Sequence, residues 1–486
     1  MDKIFLVKDG APRACVTLAA ENDGAGATER ILSYIADVTG AELPAAENAE
    51  TSLVLAIGEP ADAENKGYYS IEVTECDGVS EIRLIGSDEF YLRLAADALI
   101  ARHLHIDGAD MYCDTEKESE SFELLEYEDT CPKTMTQILK LQPKIEVFEN
   151  SGSALKDITD AHSVCMITGE TSINMTRRKY DVCGVDLGFP AVIDGKLWLF
   201  YGDTFAGANM IGGWRTNSAS VSTGTDWRAG IVFDSMYSSN GEPRATEMVV
   251  GLKRPHIEYS KIPTGAISVD GKLYFYFMSV KSWGTERGWD CNYGGLAKSE
   301  DGGKTWQIVE GVRFVGLNTK FCQCSPVLNE ADGKIYITGI RGGRTAFCRM
   351  MRVDKDKIED FEAYEYLVGR NEQGEAEWLS GFEGLAREYP LIDDTVSENT
   401  IFYNEYLGEW IIAYKNHGKL RLYTSKKVSG PYTKAAQIAM PGVDVPLYGF
   451  LSSRELSLDG GKRIAFIGSS WKPCYNTFVF EITLER

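Results

Sequence analysis

Four aspartates crowd one stretch of this chain, YDVCGVDLGFPAVIDGKLWLFYGDTF (180–205): Asp181, Asp186, Asp194 and Asp203. Asp194 is followed by Gly195, and an Asp-Gly pair between two apolar runs is the signature of a tight hairpin turn. Asp186 stands before the first apolar run and Asp203 ends the second. Antiparallel pairing of 189–193 with 197–202 would carry both to the same end of the hairpin. Two carboxylates placed together are the residue types for acid–base work on a glycosidic bond. One protonates the leaving oxygen, and the other activates water or attacks directly. The competing reading of Asp203 is an Asx turn or helix cap that satisfies nearby backbone. Gly184 and Gly188 flank Asp186 and predict a loop with close backbone approach.

Further candidates stand at the same kind of position, before or after an apolar run. The loop GANMIGGWRTN (207–217) offers Trp214 as a stacking surface and Arg215 and Asn217 as donors to ring hydroxyls. Glu258 precedes IPTGAI and reads as a third carboxylate that tunes the pair. Asp290 and Asn292 lie in GWDCNYGG, Arg341 follows YITGI, Glu398 leads into ENTIFYN, and Tyr448 sits in PLYGF. Each has an alternative as a salt bridge or a cap. The 5 histidines form no H-E-x-x-H, and neither a G-x-S-x-G elbow nor a P-loop is present. The 11 cysteines contain no C-x-x-C, which argues against both a zinc site and a disulfide framework. No cofactor is expected. A structural cation such as calcium in a central channel fits the architecture inferred below, but no motif points to it.

The elements that must hold these residues repeat. An apolar strand, a glycine turn and an aromatic-rich strand recur as AVIDGKLWLFYG, ISVDGKLYFYFM, LNEADGKIYITG, YNEYLGEWIIAY and LSLDGGKRIAFIG. The turn glycines, Gly195, Gly271, Gly333, Gly408 and Gly461, are 76, 62, 75 and 53 residues apart. Each interval suits one four-stranded blade, so five hairpins predict five blades around an axis. SEDGGKTW (299–306) is an Asp-box, S-x-D-x-G-x-x-W, in which Asp301 caps a turn and Trp306 packs beneath it. Asp301 is therefore read as structural.

Residues to about 127 read differently. ACVTLAA and SLVLAIG are short buried-strand runs, and ATERILSYIADVTG between them places Ile31, Leu32, Ile35 and Val38 on one helical face. Gly40 falls where a helix ends. YYSIEVTE and EIRLIGS are two more strands. Ser87-Asp88 then opens a helix with Leu92, Ala95, Ala96 and Leu99 facing inward. The order is β-α-β-β-β-α, a small sheet with helices on one face. The fold class is thus multidomain. A small α/β (α+β) N-terminal domain (1–127) and a linker (128–160) precede an all-β five-bladed β-propeller (161–486).

Composition bounds the partners. A net charge of −22 and a pI near 4.8 repel phosphate backbones and exclude nucleic acid as a partner. No run of 18 apolar residues predicts a membrane span. The N-terminus lacks the apolar core of a secretory leader, which predicts cytoplasmic residence; a chain whose leader had been removed would read the same way. The sequence says nothing about oligomeric state. With 9 Trp, 24 Tyr and 20 Phe, there are rings for strand packing and for stacking on sugars alike.

Two resemblances sharpen this. ILSYIADVTGAELP, LVLAIG, GYYSIEV and IRLIGSDEFYLRLAADALI, within 25–104, resemble the non-catalytic N-terminal domain of α-glucuronidases and β-hexosaminidases. TGETSINMT, GVDLG, LFYGDTF, WRTNSASVS, IPTGAI and SEDGGKTW resemble the family catalogued as domain of unknown function 4185. That resemblance implies a five-bladed propeller and glycoside hydrolase family 183, endo-D-arabinanases acting on mycobacterial-type arabinan. It implies Asp186 and Asp203 as the catalytic acids. The expected function is a bacterial glycoside hydrolase that cleaves a furanoside-containing, arabinan-like oligo- or polysaccharide. The alternatives are a glycan-binding propeller without catalysis and a sialidase-like exo-glycosidase. The latter needs an arginine cluster and a tyrosine nucleophile, which the sequence does not display.

Overall fold

The structure is a computed structural model describing residues 3–18, 25–44, 49–58, 66–76, 79–113, 117–123, 130–316, 319–387 and 389–486. Five antiparallel sheets of four or five strands succeed one another along the C-terminal part. Their innermost strands are Gly184–Ile193, Ser260–Val269, Gln323–Asn329, Asn399–Asn404 and Leu447–Leu451. Each packs on the next and the fifth packs on the first, which closes a five-bladed propeller. Alternation along these strands is weak because both faces of a blade are buried between neighbours.

The predicted hairpins form as read. Asp194 and Gly195 take φ of 50° and 72°, and Asp270 and Gly271 take 47° and 77°, the left-handed pairs that Asp-Gly supplies. Between the first two blades the packing is aromatic. Trp306 lies 5.5 Å from Phe200 and 5.1 Å from Phe275, ring centre to ring centre. Asp301 accepts from the Thr305 backbone N–H at 2.9 Å and from its hydroxyl at 2.6 Å. Gly303 in that turn has φ of 89°, and a Cβ there would stand 2.1 Å from the Trp198 ring. The turn is therefore a wedge between blades.

The segment read as a linker is largely built into the fold. Thr130–Leu139 is a helix. Lys144–Val147 is the outermost strand of the fourth blade, paired with Thr433–Ala439. Asp157–Met166 is the outermost strand of the fifth blade, paired with the final strand Thr477–Glu485, so the ring is zipped by its two ends. The first of these strands is four residues long and the second opens on the polar run DITDAH, so neither showed a clear period and the segment read as a linker.

In the N-terminal part, Ala14–Leu18, Thr51–Ile57 and Val79–Gly86 are parallel neighbours, with Lys66–Cys76 and Lys117–Glu123 added antiparallel. Helices Ala27–Thr39 and Glu89–Ala98 pack together against this sheet. Asp88 caps the second, accepting from the Phe90 and Tyr91 N–H groups at 2.9 and 3.0 Å. A second sheet, formed by Ile4–Lys8, Ala11–Pro12, Leu104–Asp107 and Asp110–Cys113, was not anticipated. These strands are two to five residues long, too short for a periodic signal. Arg93 joins the two parts: its Nη2 donates to the Val164 carbonyl at 2.6 Å while Nε pairs with Asp97. One apolar core runs from this sheet into the fourth and fifth blades.

Candidate active site

The two aspartates meet where the first hairpin loses its regular register. Val185 pairs with Thr204 and Leu187 with Tyr201, so Asp186 bulges out opposite Gly202 and Asp203. Leu187 is forced to φ of 68° and Gly188 to 111°. A β-branch-free but bulky leucine in this region is strained. The bulge is pinned from the fifth blade: the Val185 N–H donates to the Tyr475 carbonyl at 2.7 Å and the Leu187 N–H to Ser469 Oγ at 2.9 Å. Gly202 is required for space, since a Cβ there would lie 2.5 Å from Asp186 Oδ1.

Their surroundings differ. The Tyr448 hydroxyl donates to Asp186 Oδ2 at 2.8 Å, and the Tyr475 hydroxyl bonds to the same carboxylate. Asp186 Oδ1 is buried without a protein partner. Asp203 Oδ1 accepts from the Trp214 indole N–H at 2.8 Å, with the buried Ser260 hydroxyl beside it. Burial raises the Asp186 carboxyl to about 6. The two tyrosines and Arg344 hold it down, and Glu398 pushes it up. Asp203 is raised further, to about 8, by burial first and then by the charge of Asp186; Trp214 and Ser260 offset part of this. Near neutral pH the pair therefore shares one proton.

Of the remaining candidates, the structure brings Trp214, Glu398 and Tyr448 to this mouth. Glu398 is held by Arg344, whose Nε donates at 2.9 and 3.1 Å and Nη2 at 2.6 Å. The others are placed differently. Arg215 is buried and donates to the Asp181 and Ala245 carbonyls at 2.6 and 3.1 Å, away from the pair. Asn217 is fully buried, donating to the Val249 carbonyl at 2.8 Å and accepting from the Met248 N–H at 2.8 Å. Both clamp the 245–249 segment instead of facing a ligand. Glu258 is committed to a buried ion pair with Lys261 and to Ser279 Oγ at 2.8 Å, so it does not tune the aspartates. Asn292 donates to the Ile257 carbonyl at 2.6 Å. Asp290 pairs across the same blade with Ser282. Arg341 presents its carbonyl to Gln323 Nε2 at 3.0 Å, and Arg344, three residues on, is the arginine beside Asp186.

Sequence reasoning missed Arg344, Trp471 and Tyr475. Arg344 ends the R-G-G-R loop that begins at Arg341, and only the loop's path decides which arginine turns inward. Arg344 is flanked by the Trp289 ring at 5.1 Å and the Tyr448 ring at 4.9 Å. Trp471 packs edge-on against Tyr448 at 6.2 Å and Tyr475 at 5.5 Å. Buried Lys415 donates to the Leu447 carbonyl at 2.7 Å, and burial, then Arg344, lowers it to about 8. Among the described residues no group of three or more His, Cys, Asp or Glu is placed to hold a metal ion. No helix among them is long and apolar enough to cross a membrane.

The molecule is a five-bladed propeller with two neighbouring aspartates on the innermost hairpin of its first blade. It belongs to the family described as Domain of unknown function (DUF4185), whose model matches residues 171–481. No curated protein matches it. Among solved structures it is similar to a GH43_1 enzyme from Xanthomonas citri complexed with xylotriose, at 12% identity and a TM-score of 0.38, over 72% of this chain and 91% of that one. It is also similar to an α-L-arabinofuranosidase from Podospora anserina in complex with cellotriose, at 9% identity and 0.35, over 63% and 92%. A family 117 glycoside hydrolase produced by Zobellia galactanivorans matches at 11% and 0.35, over 71% and 91%. These values describe a loose likeness of fold and say nothing of activity.

Proposed function

We propose that the protein is a glycoside hydrolase that cleaves a furanoside-containing, arabinan-like glycan with Asp186 and Asp203. The observation that carries the reading is the pair itself. Asp186 and Asp203 face each other across one bulge of the first hairpin, and burial raises both carboxyls. A pair that shares one proton supplies the acid and the carboxylate that this chemistry needs at neutral pH. Protonated Asp203 gives its proton to the leaving glycosidic oxygen. Ionised Asp186, oriented by Tyr448 and Tyr475, activates water or attacks the anomeric carbon. Trp214 fixes the Asp203 carboxyl and adds an apolar wall. The furanoside part of the reading comes from the likeness of GVDLG and LFYGDTF to glycoside hydrolase family 183.

The test is incubation with arabinogalactan, lipoarabinomannan, plant arabinan and xylan, with products separated by chromatography. The expected result is shortened chains from the arabinan-containing polymers, and the anomer first released separates attack by water from attack by Asp186. Intact polymers throughout would remove the proposal and leave a binding propeller.

A further inference from the structure

Two indoles stand exposed at the same mouth. Trp471 is 40% exposed and Trp283 is 38% exposed. They are the two ends of one strip. Trp283 lies 5.5 Å from Trp289, Trp289 5.1 Å from the Arg344 guanidinium, that group 4.9 Å from Tyr448, and Tyr448 6.2 Å from Trp471. Tyr448, inside the strip, is the residue whose hydroxyl holds Asp186. Trp289 and Tyr448 are buried, so the strip shows solvent an indole at each end, joined through the tyrosine that holds Asp186.

The ends are held in place. Trp283 and Trp289 sit on a hairpin of the second blade that projects past the start of its inner strand, where Ser260 pairs with Val280. Gly343 of the third blade abuts this hairpin's tip: a Cβ there would be 2.1 Å from the Arg287 carbonyl oxygen. The Trp471 backbone N–H donates to the Pro446 carbonyl at 3.0 Å, which fixes the chain from which the indole projects. Rigid aromatic faces lose little entropy when a ligand stacks on them. The strip's one cation is already matched, because Glu398 binds Arg344 through both oxygens. With Arg344 so matched, the strip offers an anionic chain no uncompensated positive charge.

We propose that Trp283 and Trp471 are stacking platforms that hold a neutral oligosaccharide across Asp186, one on each side, and that uronate-bearing chains are refused. This deepens the glycosidase reading and rests on it. The test is affinity electrophoresis of the full chain in gels containing arabinogalactan or polygalacturonate. Wild type should be retarded by arabinogalactan alone. Trp283→Ala and Trp471→Ala should each bind roughly 2- to 10-fold more weakly, the range expected for one aromatic contact. The Trp→Phe variants, which keep a ring, should recover most of the loss. Retardation of both alanine variants equal to wild type overturns the platforms and leaves the glycosidase reading intact. So does equal loss in the Ala and Phe variants, which marks a structural role. Retardation by polygalacturonate overturns the claim of neutrality. A wild type that arabinogalactan does not retard overturns the proposal, and product release from that polymer then decides separately whether the glycosidase reading stands.

Discussion

At the residue scale the account turns on Asp203 being the protonated member of the pair. Asp203→Asn should lower turnover by roughly 10²- to 10⁴-fold, the range for losing a general acid. Activity should follow a bell in pH. It rises as Asp186 ionises near about 6 and falls as Asp203 ionises near about 8. The same shift has a consequence for stability. Folding raises the Asp203 carboxyl from its ordinary 3.8 to about 8, so the fold disfavours the ionised form. Stability tied to this group is then full at low pH and is lost as pH rises from about 4 to about 8. Asp203→Asn should consequently melt higher than wild type at pH 8 and about equally at pH 4, as differential scanning fluorimetry would show. A lower melting temperature at pH 8 would mean that the carboxylate is paired and not merely buried. The two aspartates could be read from the sequence because hairpin pairing and one Asp-Gly turn put them at one end. Tyr448 was singled out without its partner. Its bond to Asp186 spans 262 residues, a distance that only ring closure brings together.

At the scale of elements, glycines set the geometry. Gly202→Ala would drive a methyl into Asp186 Oδ1, which lies 2.5 Å from its Cβ position. The expected result is a loss of activity larger than the loss of stability, measured as turnover per folded molecule. Gly303→Ala tests the opposite case. Its methyl would strike the Trp198 ring and the turn is left-handed, so stability should fall by about 1–3 kcal/mol in urea unfolding with turnover per folded molecule unchanged. Hairpins with two apolar strands and an Asp-Gly turn were legible because their pattern repeats. Loops were not. Arg341 and Arg344 share one loop and one chemistry. Gln323 binds the Arg341 and Gly343 carbonyls at 3.0 and 2.8 Å and so sets the path of the loop that brings Arg344 beside Asp186. Arg215 and Asn217 misled for a related reason: the sequence shows that a polar side chain is present but not that backbone carbonyls take up its donors.

At the scale of the whole molecule, the N-terminal part and the propeller share one core, and the chain's path explains it. Strand Asp157–Met166 leaves the N-terminal part and closes the ring against the last strand. Arg93 then ties helix Glu89–Ala98 to the closing strand at Val164. Arg93→Met should cost about 1.5–3 kcal/mol, since it removes one of two arginines on buried Asp97 while Arg30 stays at 3.1 Å, and unfolding should remain a single transition. Two separated transitions would contradict a shared core. The division into an α/β part and five blades was legible from the change of period. Their joining was not, because the strands that do it are charged and sit at sheet edges.

The central claim is that Asp186 and Asp203 together break glycosidic bonds. The most direct measurement is chromatography of products from arabinogalactan at pH 7 with wild type and Asp203→Asn, both verified as folded by circular dichroism. The account predicts oligosaccharide release by wild type and none above background by the variant. Equal release by both, or none by wild type, would contradict it.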